Sequence, residues 1–206
     1  MLMLVGVVNY GMGNIHSVLR KLKLVGANCK LIESPDHFEN VDKIILPGVG
    51  HFGQAMENLK RKEFIDPLHK SVIIDKKPIL GICLGMQLMT SYSEEGNSKG
   101  LGWIEGEVKH FNVYDGLRYK VPHMGWNRIK IMKSSKLFEN IKMGSEFYFV
   151  HSYYFKSDNV ANNLNITNYE SDFVSAFEKD NIYGVQYHPE KSFDAGTQLF
   201  KNFIAL

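Results

Sequence analysis

The stretch Lys77-Pro78-Ile79-Leu80-Gly81-Ile82-Cys83-Leu84-Gly85-Met86-Gln87-Leu88-Met89 leaves this chain few ways to fold. A proline opens a short apolar run, residues 79–82, whose length suits a buried strand better than a helix. Met86, Gln87, Leu88 and Met89 are good helix formers. Between the two lies Gly81-Ile82-Cys83-Leu84-Gly85, a strand-to-helix corner with a cysteine at its apex. It is the thiol counterpart of the G-x-S-x-G elbow, in which small flanking residues let a strained turn hold a nucleophile clear of the backbone. The first helical turn adds partial positive charge and free N–H groups, which favour a thiolate. Most free cysteines are small buried hydrophobes, so the weight of the elbow rests on what else the chain supplies.

Upstream of the elbow, strand-like and helix-like segments alternate. Residues 1–8 are apolar and read as a first buried strand, too short to span a bilayer and without the basic start and cleavage site of an export signal. A turn rich in Gly and Asn, 9–14, leads to a helix carrying Ile15, Val18, Leu19, Leu22 and Val25 at 3.6-residue spacing, with Gly26 as its stop. Gly11-Met12-Gly13 is not a dinucleotide fingerprint, because the third glycine is replaced by His16, and no Walker A sequence occurs. Residues 29–32 make a second strand, with Cys29 expected in the core. Residues 43–46 make a third, running into Pro47-Gly48-Val49-Gly50, and helices are expected over 54–62 and 67–75. This alternation predicts a three-layer α/β fold with a mostly parallel sheet and flanking helices. Active sites in such sheets lie at the carboxyl ends of the strands, where both the 48–50 loop and Cys83 fall.

Downstream the texture changes. Residues 93–100 are polar and read as a surface loop. Short strands at 103–111 and 127–132, with a turn at Asp115-Gly116, suggest a small antiparallel β appendage on a single 1–206 domain, since no linker or repeat intervenes. Residues 146–155 form an aromatic strand enclosing His151-Ser152-Tyr153. A last strand, 182–187, precedes His188-Pro189-Glu190-Lys191-Ser192, and Asp194 is expected to cap a closing helix whose buried stripe is Leu199, Phe200, Phe203 and Ile204. With 206 residues, 44% hydrophobic, there is enough for one substantial core. A net charge of +2 is too small to argue for nucleic acid or an anionic membrane as partner. Two cysteines, Cys29 and Cys83, make no disulfide framework, which suits a reducing cytoplasm.

A cysteine nucleophile needs a base, and the base needs an orienting group. His188 and Glu190 are two apart, so an extended segment puts them on one face, and Pro189 biases His188 towards that geometry. Taken alone, His-Pro-Glu is commonly a surface turn; after a buried strand, in a chain with a cysteine elbow, it reads as base and orienter. An oxyanion would need two backbone donors, one from Leu84 just after the nucleophile and one from Gly48-Val49-Gly50. That loop by itself could equally be an ordinary strand-to-helix turn. Its glycines let the peptide beside Val49 turn either way, presenting an N–H or a carbonyl to the oxyanion. The set describes acyl transfer through a thioester. No histidine spacing suggests a metal site, and no cofactor is called for.

Gly81-Ile82-Cys83-Leu84-Gly85-Met86-Gln87 with His188-Pro189-Glu190 resembles the class I (triad) glutamine amidotransferases, whose sheet is flavodoxin-like. Pro47-Gly48-Val49-Gly50, Pro122-His123-Met124-Gly125-Trp126-Asn127 and Phe149-Val150-His151-Ser152-Tyr153 are similar to segments of the glutaminase subunits of imidazole glycerol phosphate synthases. The resemblance runs from Val8 to the C-terminal helix, with the five motifs in the right order along it. The resemblance implies that Cys83 attacks the side-chain amide of glutamine, His188 shuttles the proton, Glu190 orients His188, and ammonia leaves before water resolves the thioester. Gly50, Gln87, Tyr148 and Ser152 match positions of the glutamine pocket. It further implies a heterodimer, with ammonia passing to a (β/α)8-barrel cyclase subunit that forms imidazole glycerol phosphate and an aminoimidazole carboxamide ribotide in histidine biosynthesis. Tyr10, Asn14, Trp126, Asn127 and Lys191 match positions near that partner, although Trp126 could simply be core. Asn9 departs from the acidic residue usual before Tyr-Gly. Three other readings stand beside this one: a paralogous glutaminase supplying ammonia for amination of a cell-surface sugar, a stand-alone cysteine hydrolase, and a non-catalytic docking module. The last is disfavoured by the presence of all three triad residues.

Overall fold

In the computed structural model, which describes residues 3–206, the five apolar runs expected as buried strands lie side by side and parallel. Met1 and Leu2, the start of the expected first strand, lie outside the described residues. The chain runs β1 (Leu4–Val8), α1 (Ile15–Leu24), β2 (Asn28–Ile32), β3 (Lys43–Gly48), α2 (Phe52–Arg61), α3 (Ile65–His69), β4 (Ile79–Cys83) and α4 (Leu84–Leu88). It continues through β5 (Thr90–Ser93), β6 (Ser98–Lys99), β7 (Ile104–His110), β8 (His123–Arg128), β9 (Lys130–Ile131), β10 (Glu146–His151) and β11 (Tyr153–Ser157). The last elements are β12 (Asn163–Tyr169), β13 (Ser171–Lys179), β14 (Ile182–Val185) and α5 (Phe193–Ala205).

The main sheet has the order β2-β1-β3-β4-β14-β13-β11-β7-β5-β6, parallel from β2 to β14. Chain order reverses between β1 and β3, the kind of switch point at whose carboxyl side α/β sheets form their crevices. β3 and β4 are buried along their whole length, as expected of parallel strands covered on both faces. On one face Phe52, Leu59, Leu68, Met86 and Leu88 form the core. On the other, Val18 and Leu22 of α1 meet Leu199, Phe200 and Phe203 of α5, joined by Phe147 and Phe149 of β10. Lys43, almost fully buried at the start of β3, donates to the carbonyls of Phe203 (3.0 Å) and Ile204 (2.7 Å), tying the carboxyl end of α5 to the sheet. Among the described residues, no helix is long and apolar enough to cross a membrane.

Several expectations need correction. The 103–111 strand belongs to the main sheet as β7; the separate antiparallel sheet is the β8–β10 pair alone. The 146–155 segment is two strands in two sheets, breaking at Ser152. Residues 93–100 are not a plain loop: β5 and β6 form a hairpin that turns through Gly96 and Asn97, both at positive φ. The 67–75 helix is α3 continued by a π-type turn over Lys70–Ile74. Ser192, not Asp194, holds the N-cap position of α5, and Asp194 sits in the first turn. Cys29 is half-buried, because β2 is an edge strand.

Candidate active site

The elbow is built by close packing. Parallel pairing of β3 with β4 makes Gly48 the register partner of Cys83 and brings Leu46 against Gly81. A Cβ on Gly85 would lie 1.8 Å from the Leu46 carbonyl oxygen, so only glycine lets α4 start this near the sheet. Cys83 closes β4 at φ 55° and ψ −112°, a conformation costly for a residue with a side chain and typical of strain held at a functional turn. It is 6% exposed.

β14 runs parallel to β4, so the segment after Val185 emerges at the same sheet end. There the His188 N–H donates to the Tyr148 carbonyl (2.9 Å), and Ser192 Oγ donates to the His188 carbonyl (2.6 Å) while accepting from the Tyr148 N–H (3.0 Å). Ser192 thus pins the loop that carries His188. His188 Nδ1 and Glu190 Oε1 are 2.8 Å apart with both side chains buried. His188 Nε2 has no hydrogen-bond partner at ordinary distance, yet Cys83 is near enough to act on the charge of the ring. Burial disfavours a charged His188, but interaction with Cys83 and then with Glu190 outweighs it and raises the imidazole to about 10.

In front of Cys83 opens a cavity of about 380 Å³. Val49, Gly50, Cys83, Leu84, Gln87 and Ser152 line it, together with Glu95, Pro122, Val150, His151 and Tyr153. Gly50 sits at φ 107°, which a side chain would resist. His188 and Glu190 do not line the cavity; they stand behind Cys83. Glu95 also accepts from the Phe52 N–H (2.8 Å), placing a carboxylate at the start of α2.

The remaining expected positions divide. Tyr148 is outside the cavity lining; its ring packs against Trp126, with Lys191 Nζ 5.2 Å from its centroid. Asn14 Nδ2 lies 3.4 Å from Glu190 Oε1, joining the back of the His–Glu pair. Tyr10 is fully buried in the chain: its hydroxyl lies beneath Gly48, where it fills the space a Gly48 Cβ would need. Trp126 is exposed and stacks on exposed Phe193 with centroids 4.9 Å apart. Asn127 is half-buried and Lys191 exposed. Asn9 Nδ2 donates to Glu33 Oε1 (3.1 Å), where an acidic residue would meet like charge. Sequence reasoning missed Gln186, whose Nε2 donates to Cys83 Sγ (3.6 Å) and whose Oε1 accepts from Gln87 Nε2 (2.9 Å). Its two-residue spacing from His188 on an extended segment was the available signal.

A parallel α/β sheet with an elbow cysteine over a cavity, backed by a buried His–Glu pair, is the arrangement that cysteine acyl transfer requires. More particularly, the model of the glutamine amidotransferase class-I family matches residues 6–206, and the chain belongs to that family of enzymes. A relative from Methanococcus maripaludis, imidazole glycerol phosphate synthase subunit HisH 2, is 46% identical over 201 residues, covering 98% of each chain. A protein of the same name from Pseudomonas aeruginosa is 44% identical, covering 97% of this chain and 98% of that one. Among solved structures, that of PurLQS from Thermotoga maritima has a TM-score of 0.76 at 17% identity, covering 100% of this chain and 99% of that one, a likeness of fold.

Proposed function

We propose that this chain is the glutaminase subunit of imidazole glycerol phosphate synthase. The observation that carries the chemistry is the buried His188–Glu190 contact of 2.8 Å behind an elbow cysteine that faces the cavity. The Cys83 thiolate attacks the side-chain amide carbon of glutamine, and the carbonyl electrons move to an oxyanion. The Leu84 N–H and the Gly48-Val49-Gly50 loop supply its donors. His188 gives its proton to the departing nitrogen, ammonia leaves, and a glutamyl thioester remains on Cys83. Water then attacks with His188 as base, which releases glutamate and restores the pair. Glu190 holds His188 by Nδ1 throughout. Gly50, Gln87 and Ser152 bind glutamine; Tyr148 contributes through its backbone hold on His188.

The ammonia passes to a (β/α)8-barrel cyclase subunit in a cytoplasmic heterodimer. Supporting a docking face, Val49, Met124, Trp126 and Phe193 are exposed apolar side chains, and Val49 also lines the cavity. Lys191 Nζ lies over the ring of Tyr148, which packs against Trp126, and Asn14 reaches Glu190. A paralogous role, feeding amination of a cell-surface sugar, is the second reading; both relatives above carry the number 2 in their names. The deciding experiment is glutamate release from glutamine by the chain alone, with the barrel subunit, and with the barrel subunit and its ribonucleotide ligand. The proposal expects low activity alone and a rise, chiefly in kcat, with partner and ligand. Full activity in the isolated chain would favour a stand-alone hydrolase, and no response to that barrel would favour the sugar-pathway acceptor.

A further inference from the structure

Two buried histidines, His123 on β8 and His151 on β10, take no part in the chemistry above. They are register partners at the end of the small sheet, and the next residue, Ser152, is where the chain leaves it for the main sheet. His151 Nδ1 lies 2.8 Å from the Tyr153 carbonyl oxygen. His123 Nδ1 lies 3.0 Å from His151 Nε2, and Asn127 Nδ2 lies 3.2 Å from His123 Nε2. Phe149 and Tyr169 stack on His123, with centroids 4.8 Å and 4.0 Å away, fixing its plane.

These contacts admit one proton arrangement. A carbonyl only accepts, so His151 must carry its proton on Nδ1, which leaves Nε2 bare in the neutral ring. That bare nitrogen requires a proton on His123 Nδ1, and the His123 Nε2 left bare accepts from Asn127. Asn127 spends its other amide hydrogen on the Asn168 carbonyl (2.9 Å). Burial holds both rings neutral: His151 is pushed down to about 3, with His123 and His188 adding to the effect, and His123 to about 4. The line then continues inward. Gln87 Nε2 donates to the same Tyr153 carbonyl (3.0 Å) and to Gln186 Oε1, and Gln186 Nε2 faces Cys83 Sγ.

We propose that Asn127, His123 and His151 are a directional positioning relay, which holds the Ser152–Tyr153 wall of the cavity and, through Gln87 and Gln186, the orientation of the group that donates to Cys83. The inference rests on the glutaminase reading for its kinetic consequence. The relay starts on β8, whose Met124 and Trp126 are exposed, so a displacement of that strand is transmitted to the nucleophile by polar contacts as well as by packing.

The first test uses the unaltered protein: nitrogen-15 NMR of the ring nitrogens in the neutral pH range. The relay requires both His123 and His151 to be protonated at Nδ1; a proton on Nε2 of either ring overturns it. The second compares His123→Asn, whose amide nitrogen falls where Nδ1 was and can still donate to His151, with His123→Gln and His123→Phe, which cannot. The readouts are alkylation of Cys83 by iodoacetamide at one fixed pH, followed on the Cys83 peptide, and kcat and KM for glutamine with the barrel partner. His123→Gln and His123→Phe should each slow alkylation and kcat by roughly tenfold with a smaller change in KM, while His123→Asn recovers most of the rate. Equal rates in folded Asn and Gln variants of matched thermal midpoint overturn the relay. If His123→Phe fails to fold, the two amides still decide. Alkylation does not depend on the substrate, so it judges the relay even if wild type releases no glutamate, an outcome that would count against the functional reading instead.

Discussion

Glu190→Gln changes charge while nearly keeping shape. The new amide oxygen can still accept from His188 Nδ1, now 2.8 Å from Oε1, and from Asn14 Nδ2 at 3.4 Å. What disappears is one of the two influences that keep His188 charged; burial then acts against Cys83 alone. A hydrogen bond to a charged group contributes about 1.5–3 kcal/mol and a neutral one about 0.5–1.5, so the loss is about 1–2 kcal/mol. For a step that needs the imidazolium, this is roughly 5- to 30-fold in kcat. The pH dependence carries a sign. His188 is raised from 6.5 to about 10, so its stabilising contribution is complete below 6.5 and lost as pH rises towards about 10. The variant should therefore be less stable than wild type at neutral pH, with the gap closing as pH approaches about 10. The basic limb of its kcat/KM profile should move to lower pH. The assay is glutamate release by the chain with its barrel partner across pH, with thermal midpoints measured in parallel. A variant rate at or above wild type, with an unmoved basic limb, would remove Glu190 from the mechanism.

Gly85→Ala should lower stability by about 3 kcal/mol or more, because its Cβ meets the backbone oxygen of Leu46 and not a yielding side chain; an unchanged thermal midpoint would mean the elbow is not packed as described. Lys43→Met should cost about 1–3 kcal/mol by leaving the Phe203 and Ile204 carbonyls without their buried donor, and chemical denaturation would show it. His123 and His151 are lowered from 6.5 to about 4 and about 3, so their neutral burial stabilises above 6.5 and that contribution is lost as pH falls towards those values. The slope is about 1.4 kcal/mol per pH unit for each proton taken up on unfolding. Thermal midpoints of His123→Asn should therefore fall less steeply with acid than those of wild type, and identical slopes would contradict the account.

The parts of the fold legible in the sequence were those whose signal is local. Continuous apolar runs marked β1, β3 and β4, and glycines around Cys83 marked the elbow, because a close backbone approach excludes every other residue there. What failed depended on which strands become neighbours. Cys29 looked like core because a strand's place in the sheet is not written in its own residues, and β2 proved to be an edge. The aromatic alternation of 146–155 runs on through Ser152 without interruption, so the change of sheet left no local mark. Tyr10 sits in a polar turn, and its burial depends on a distant neighbour, Gly48 at the end of β3, against which its hydroxyl lies. In the candidate site, Cys83, His188 and Glu190 were visible by spacing. Gln186 and the His123–His151 pair were not, since histidines 28 residues apart become partners only through the β8–β10 register.

The central claim is that Cys83 carries the acyl group. Acid quenching of the chain and its barrel partner during turnover of carbon-13-labelled glutamine, followed by peptide mass spectrometry, would locate it. The account predicts a labelled glutamyl thioester on the Cys83 peptide, none on the Cys29 peptide, and loss of both the adduct and glutamate release in Cys83→Ala. A label on Cys29, or glutamate release persisting in Cys83→Ala, would contradict it.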